Sequence, residues 1–231
     1  MEYISNAAEV VHALQGNLAA QIQWLKSCQI LNYGSSADGA ITRYPHQGWV
    51  TPYFSNFAAM ALLEEPAAYP LVERYLNWYL RNLENNGTIL DYHYDQNGQP
   101  GTTRPDSEDA YAGTFLSLAA LYHHRSGQNG WVRRNLSGLK KIAQAIINLM
   151  DWDGLTYALA SHKVKYLMDN CEAYRGLEDF GKLLDSLGSG EAPHYRARAK
   201  SIAAGIERML WNPRIQLYHA SKTGWFRPGV N

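Results

Sequence analysis

The stretch Asp106-Ser107-Glu108-Asp109-Ala110-Tyr111-Ala112-Gly113 returns 63 residues later as Asp169-Asn170-Cys171-Glu172-Ala173-Tyr174-Arg175-Gly176. Both copies follow D-x-x-[DE]-A-Y-x-G and both open a segment that reads as helix. A match at that distance raises the question of a longer period. Four turn signals answer it, at Asp38-Gly39, Asn86-Gly87, Asp153-Gly154 and Asn212-Pro213. Each starts a short extended run that ends in tyrosine: Tyr44, Tyr92, Tyr157 and Tyr218. A period near 60 residues with one decorated loop per repeat is the pattern of stacked helical hairpins.

Apolar spacing supplies the helices. Val10, Val11, Leu14, Leu18, Ile22 and Leu25 recur at three- and four-residue steps. The same holds for Leu71, Val72, Tyr75, Leu76, Tyr79 and Leu83, for Val132, Leu136, Leu139, Ile142, Ile146 and Leu149, and for Ala199, Ile202, Ile206 and Met209. Each set makes one apolar stripe on a helix. Three less polarised segments lie between them, at roughly 53–64, 107–126 and 169–187. The spacing therefore predicts seven helices, an all-α fold with short β-like loop strands on one side. Trp24, Trp78 and Trp131 fall in the stripes and are expected in helix packing.

Composition narrows the function. The 231 residues carry 21 Lys and Arg against 21 Asp and Glu, a net charge of zero, without the basic excess of a nucleic-acid binder. Hydrophobic residues make up 46% and charged residues 18%, the balance of a chain that packs a core. No run of 18 apolar residues predicts a membrane span. Tyr (16) and Trp (7) outnumber Phe (5), a bias toward aromatics with a polar handle, which suits wet binding surfaces. Cys28 and Cys171 form no metal-ligand spacing, so no metal and no cofactor are expected, and two buried free thiols are the reading. The opening MEYISNAAEVV lacks a basic and an apolar leader region, so a cytoplasmic location is the default expectation. Phosphate-loop, dinucleotide, GxSxG and HExxH motifs do not occur.

The acidic openings PDSEDAYAG and MDNCEAYRG, the turn WNPRIQLY and the DG turns resemble the six-hairpin glycosidases, the alpha/alpha toroid superfamily. The resemblance covers nearly the whole chain at superfamily level and assigns no family within it. It implies inner helices around a groove, acids at their N-terminal ends and sugar-holding aromatics. Six hairpins of about 60 residues need roughly 350 residues. Residues 1–231 are thus expected to form a single, partial toroid domain, and an open ring is expected to self-associate through its apolar edge.

Residues 89–110 hold Asp91, Asp95, Asp106, Glu108 and Asp109 against Arg104 alone. Crowded carboxylates raise one another's pKa, which keeps one protonated near neutrality. Glycosidic hydrolysis needs two carboxyl groups. Asp109 is the first choice for one, with Asp169 or Glu172 as the other and Asp106 beside them. Asp106 and Asp169 also fit the helix cap position, while Asp38, Asp95 and Asp153 read as turn formers. Substrate contacts are expected from Trp49, Tyr44, His46, Tyr53, Asp91, Tyr92, His93 and Tyr111. Lys163 and Lys165 fit either a sugar carboxylate or the local acids. The expected partner is an oligosaccharide or polysaccharide. Two other functions stay open: a uronate-polysaccharide lyase or epimerase, using Tyr44, His46, Arg43 or Lys165, and a non-catalytic hairpin scaffold.

Overall fold

A computed structural model describes residues 16–223. Seven helices follow one another: α1 (16–27), α2 (Pro52–Leu62), α3 (Tyr69–Arg81), α4 (Glu108–Ser126), α5 (Asn129–Leu149), α6 (Leu167–Ser186) and α7 (Ala192–Met209). Of the first stripe, Val10, Val11 and Leu14 lie outside the described residues, as does the leader reading of residues 1–11. The three less polarised segments are α2, α4 and α6, and they pack side by side, α2 on α4 and α4 on α6. The striped helices stand behind them, α3 beside α2, α5 beside α4 and α7 beside α6. An inner helix is covered from several directions, so it needs no single apolar stripe. Along α4 buried residues run from Asp109 through Phe115 to Tyr122 on nearly every face. The outer α3 and α5 each bury one stripe: Val72, Tyr75, Leu76 and Tyr79 in α3, and Trp131, Val132, Leu139, Ile142, Ile146 and Leu149 in α5.

The repeated motif explains itself at the contact between α4 and α6. A Cβ on Gly176 would stand 2.4 Å from the carbonyl oxygen of Gly113, and one on Gly113 would stand 2.5 Å from that of Glu172. The two glycines let the backbones touch. This brings the two acidic openings to the same end of the inner layer.

The turns obey a second repeat. Gly39, Gly87 and Gly154 have φ of 93°, 88° and 86°, a region that favours glycine. A Cβ on any of them would stand 2.4 Å from a carbonyl oxygen of the next outer helix, that of Arg74 in α3, Lys141 in α5 or Ser201 in α7. Each turn thus rests on the outer helix that follows it, and Ile41, Ile89 and Leu155 beside these turns are buried. The loops carry short strands: β1 (Trp49–Val50), β2 (Asp91–Tyr94) and β3 (Pro100–Thr103) form an antiparallel sheet in the order β1-β2-β3, with Trp49 opposite His93 and Asp91 opposite Thr103. β4 (Val164–Tyr166), β5 (Trp211–Asn212), β6 (Leu217–Tyr218) and β7 (Ser221–Thr223) form the pairs β4–β7 and β5–β6.

Two expectations fail here. Trp78 and Trp131 are in the core, but Trp24 is 42% exposed and meets the Tyr44 ring edge-on at 6.4 Å. Spacing cannot tell the covered flank of an outer helix from the free one. Both cysteines are free, yet only Cys28 is buried and Cys171 is exposed, because Cys171 faces the open side of the inner layer.

Candidate active site

The N-terminal ends of α4 and α6 carry the acids. Ser107 is the N-cap of α4, and its hydroxyl accepts from the Ala110 N–H. The cap is therefore Ser107 and not Asp106, which sits one residue earlier and is exposed. Asp169 is not a cap either: α6 starts at Leu167 behind Tyr166, without a side-chain cap. Asp169 stands in the first turn, where the helix dipole favours the anion. Glu172 lies one turn further in.

Asp109 is fully buried. Its carboxyl has no solvent-facing surface. One carboxyl oxygen accepts from the Ser107 hydroxyl at 2.7 Å and the other from the Thr156 hydroxyl at 2.5 Å. Ser107 Oγ is also 3.0 Å from Asp169 Oδ2. Asn170 Oδ1 accepts from the Thr156 backbone N–H at 2.7 Å, and its amide donates to the Tyr166 carbonyl. Burial, then the charge of Asp169, pushes the Asp109 carboxyl up to about 7. Glu172 Oε1 accepts from the Tyr53 hydroxyl at 2.7 Å, while Oε2 is buried without a partner. Burial foremost, with Asp169 adding to it, raises Glu172 to about 7. Asp169 is raised by burial and by Asp106.

The second half of the cluster hangs from the sheet. The Tyr111 hydroxyl donates to Asp91 Oδ1 at 3.1 Å, and Arg43 lies 4.0 Å from Asp91 Oδ2. Burial raises the Asp91 carboxyl. Tyr53 and Tyr111 stack at 5.9 Å, which ties the Glu172 side to the Asp91 side. The Tyr111 hydroxyl feels both Asp91 and Asp106, and that of Tyr53 feels Glu172, Asp169 and Asp106. Asp91, Asp106, Asp169 and Glu172 thus converge on two tyrosines. Side chains two apart on a strand share a face, so His93 is on the Asp91 side of β2. Trp49 packs against it with the rings tilted by 46° at 4.4 Å, an aromatic ridge beside the acids. A cavity of about 360 Å³ lies against Glu172, lined by Phe57, Met60, Thr114, Leu121 and Cys171.

Other expected contacts lie elsewhere. Tyr92 points to the opposite face of β2 and is buried edge-on against Trp78 at 5.4 Å, so it is core. Tyr44 is turned to Trp24. His46 lines a recess beside the sheet, which it shares with His93 and Asp95. Lys165 is not free to hold a sugar carboxylate: it is buried against Asp151 at 2.6 Å and Asp153 at 2.8 Å. Lys163 lies over the Tyr157 ring at 4.3 Å. Asp38, Asp95 and Asp153 accept loop backbone N–H groups, as turn formers do. Sequence reasoning missed Ser107, Thr156 and Asn170. Ser107 and Asn170 stand inside the repeated motif and Thr156 inside the DG turn, but a hydroxyl or an amide gives no signal of its partner.

No known family model matches the chain, and no curated protein matches it. Solved structures do. The unsaturated glucuronyl hydrolase from Bacillus sp. GL1 superposes with a TM-score of 0.63 at 13% identity, over 84% of this chain and 56% of that one. A sugar epimerase from a ruminal bacterium gives 0.63 at 10%, over 87% and 56%. A possible member of the GH105 family from Klebsiella pneumoniae gives 0.60 at 15%, over 88% and 55%. The likeness shows the fold alone, helical hairpins arranged as in an alpha/alpha toroid. The chain spans about half the length of these structures.

Proposed function

We propose that this chain is the acid-bearing part of a carbohydrate-active toroid enzyme that hydrolyses glycosidic bonds in an oligosaccharide or polysaccharide. The observation that carries this reading is the convergence of Asp91, Asp106, Asp169 and Glu172 on Tyr53 and Tyr111 at the N-terminal ends of α4 and α6. The names of the similar structures, two sugar-acting enzymes among them, support a carbohydrate as the partner.

The two roles separate by position. Glu172 is held protonated near neutral pH and keeps Oε2 without a protein partner, so it is the proton donor to the leaving oxygen. Asp169 stands in the first turn of α6, where an anion is favoured, and acts as the carboxylate that activates water or attacks the sugar. Asp106 and Asp91 bind sugar hydroxyls, and the Trp49–His93 ridge offers a stacking surface. The hydrolase is favoured over a lyase because Lys165 is consumed by Asp151 and Asp153 and Tyr44 is turned away. Self-association through the open edge belongs to the same reading.

The test is release of reducing ends from a panel of neutral and uronate-containing oligosaccharides. Glu172→Gln and Asp169→Asn should each lower turnover at least about a hundredfold, with the melting temperature held within a few degrees. Wild-type turnover should fall as pH rises through about 7, where Glu172 loses its proton. Undiminished turnover in both variants would defeat the reading.

A further inference from the structure

The strand β2 leads from the acids to the recess that His46 lines. Residues two apart on a strand share a face, and each residue adds about 3.3 Å. Asp91 accepts from Tyr111 among the acids, His93 packs on Trp49, and the turn residue Asp95 comes next in the row. Asp95 is thus about 13 Å from Asp91 along the chain. His93 and Asp95 both line the recess, a space of about 630 Å³ between the first and second decorated loops. One sugar ring held at Asp91 does not span that distance. A chain of rings does, and the Trp49–His93 ridge lies on its way.

Both walls of the recess are fixed by the protein itself. The first loop presses on β2: the Tyr94 N–H donates to the Gly48 carbonyl at 3.0 Å, and a Cβ on Gly48 would stand 1.9 Å from the Tyr94 carbonyl oxygen. Asp95 Oδ1 accepts from the Asn97 and Gln99 N–H groups at 2.8 Å each, which sets the turn carrying Gln96 and Asn97. His46 stands at φ 61°, in the left-handed region that glycine enters freely and a histidine enters at a cost. Asn32, Gln47, Gln96 and Asn97 line the recess and are exposed. Among the described residues their side-chain amides are bound to no protein group; Asn32 and Asn97 engage the loops through backbone atoms.

We propose that this recess is a distal subsite for a neutral, hydroxyl-rich sugar, and that the substrate runs from the acids across the Trp49–His93 ridge into it. A side-chain amide offers a donor and an acceptor side by side, the match of two adjacent sugar hydroxyls. The lining includes Asp95 and neither lysine nor arginine, so an acidic sugar would meet a carboxylate with no cation to compensate it. A sugar contact accounts for a histidine at position 46, where backbone alone favours glycine. The direction of the substrate rests on the reading of the acid cluster as the place of cleavage; the preference for a neutral sugar rests on the lining of the recess itself.

The experiment is a calorimetric titration of the intact protein with disaccharides and hexasaccharides cut from cellulose, xylan and mannan, and with the matching pair of galacturonides. At least one neutral hexasaccharide should bind about tenfold or more tightly than its own disaccharide, and the galacturonide pair should show no such gain. Gln47→Ala and Asn97→Ala should each remove most of the gain. His46→Gly should remove it as well, while the melting temperature holds or rises as the left-handed backbone is relieved. A neutral series without a gain, a gain confined to the galacturonides, or a gain that survives in all three variants would overturn the proposal. So would a His46→Gly variant that melts earlier and keeps the gain, since His46 would then serve the fold alone. Turnover separates this inference from the hydrolase reading. If the gain depends on the recess while Glu172→Gln and Asp169→Asn keep full turnover, the subsite stands and the acid assignment falls. If those two variants lose turnover while long and short substrates bind and react alike, the acids stand and the subsite falls.

Discussion

Asp109 and Glu172 couple the acid cluster to stability. Both have folded-state pKa values near 7, above the roughly 3.9 and 4.3 of unfolded aspartate and glutamate. Between about pH 4 and 7 the native state therefore binds protons that the unfolded state has released. Stability is highest below that window, falls as pH rises through it, and levels off above 7. Each unit of raised pKa corresponds to about 1.4 kcal/mol. The melting temperature should be several degrees lower at pH 7.5 than at pH 5.0, and Asp109→Asn should remove much of that difference by staying neutral. Equal melting temperatures for the wild type at the two pH values would contradict the assignment. Lys165 makes the opposite case, a buried charge already compensated. Its ammonium meets Asp151, Asp153 and the Tyr157 ring in the interior. Lys165→Met would leave Asp153 charged and buried, at a cost of about 3–5 kcal/mol, read as a drop in the urea midpoint.

At the level of elements, two sets of glycines set the geometry. Gly113 and Gly176 let α4 and α6 approach until backbone meets backbone. Gly176→Ala places a methyl group 2.4 Å from a carbonyl oxygen, so one helix has to move. The expected loss is about 3 kcal/mol, and the Ser107–Asp169 contact should loosen with it. Gly190→Ala, where no atom lies within 4 Å, should change stability by less than about 0.5 kcal/mol. Denaturant unfolding of the two variants makes the comparison. This layer was readable in the sequence, because the same glycine, the same acids and the same turns recur at a fixed distance and the recurrence is imposed by packing. The layer below was less so. Tyr92 and His93 are adjacent and chemically alike, yet alternation along β2 sends one into the core and the other to the site. Asp106 looked like a cap, but Ser107 took that place, because the chain enters α4 one residue later. Trp24 shares a stripe with core residues and stays at the surface, since nothing in spacing says where the neighbouring helix is. Thr156 meets Asp109, and Asn170 meets Thr156, only through the contact of separate repeats, which no local pattern encodes.

Across the whole molecule the fourth turn differs from the other three. Gly39, Gly87 and Gly154 each rest on a following outer helix, and the apolar residues Ile41, Ile89 and Leu155 beside them are buried. In the fourth, Gln216 has the same sign of φ at 52°, and β5 and β6 pair across it. Ile215 and Leu217, however, are 58% and 62% exposed among the described residues. Among the described residues no outer helix follows this turn. The repeat thus gives an internal control for what that support contributes. Leu155→Ala removes a buried side chain and should cost about 2–5 kcal/mol. Leu217→Ala removes an exposed one and should change stability by no more than about 0.5 kcal/mol. Urea unfolding of the two variants reads both values. A large loss in Leu217→Ala at low protein concentration would mean that this face is already covered within one chain. A loss that grows with protein concentration would mean that a second copy covers it, since binding to the native state stabilises by mass action.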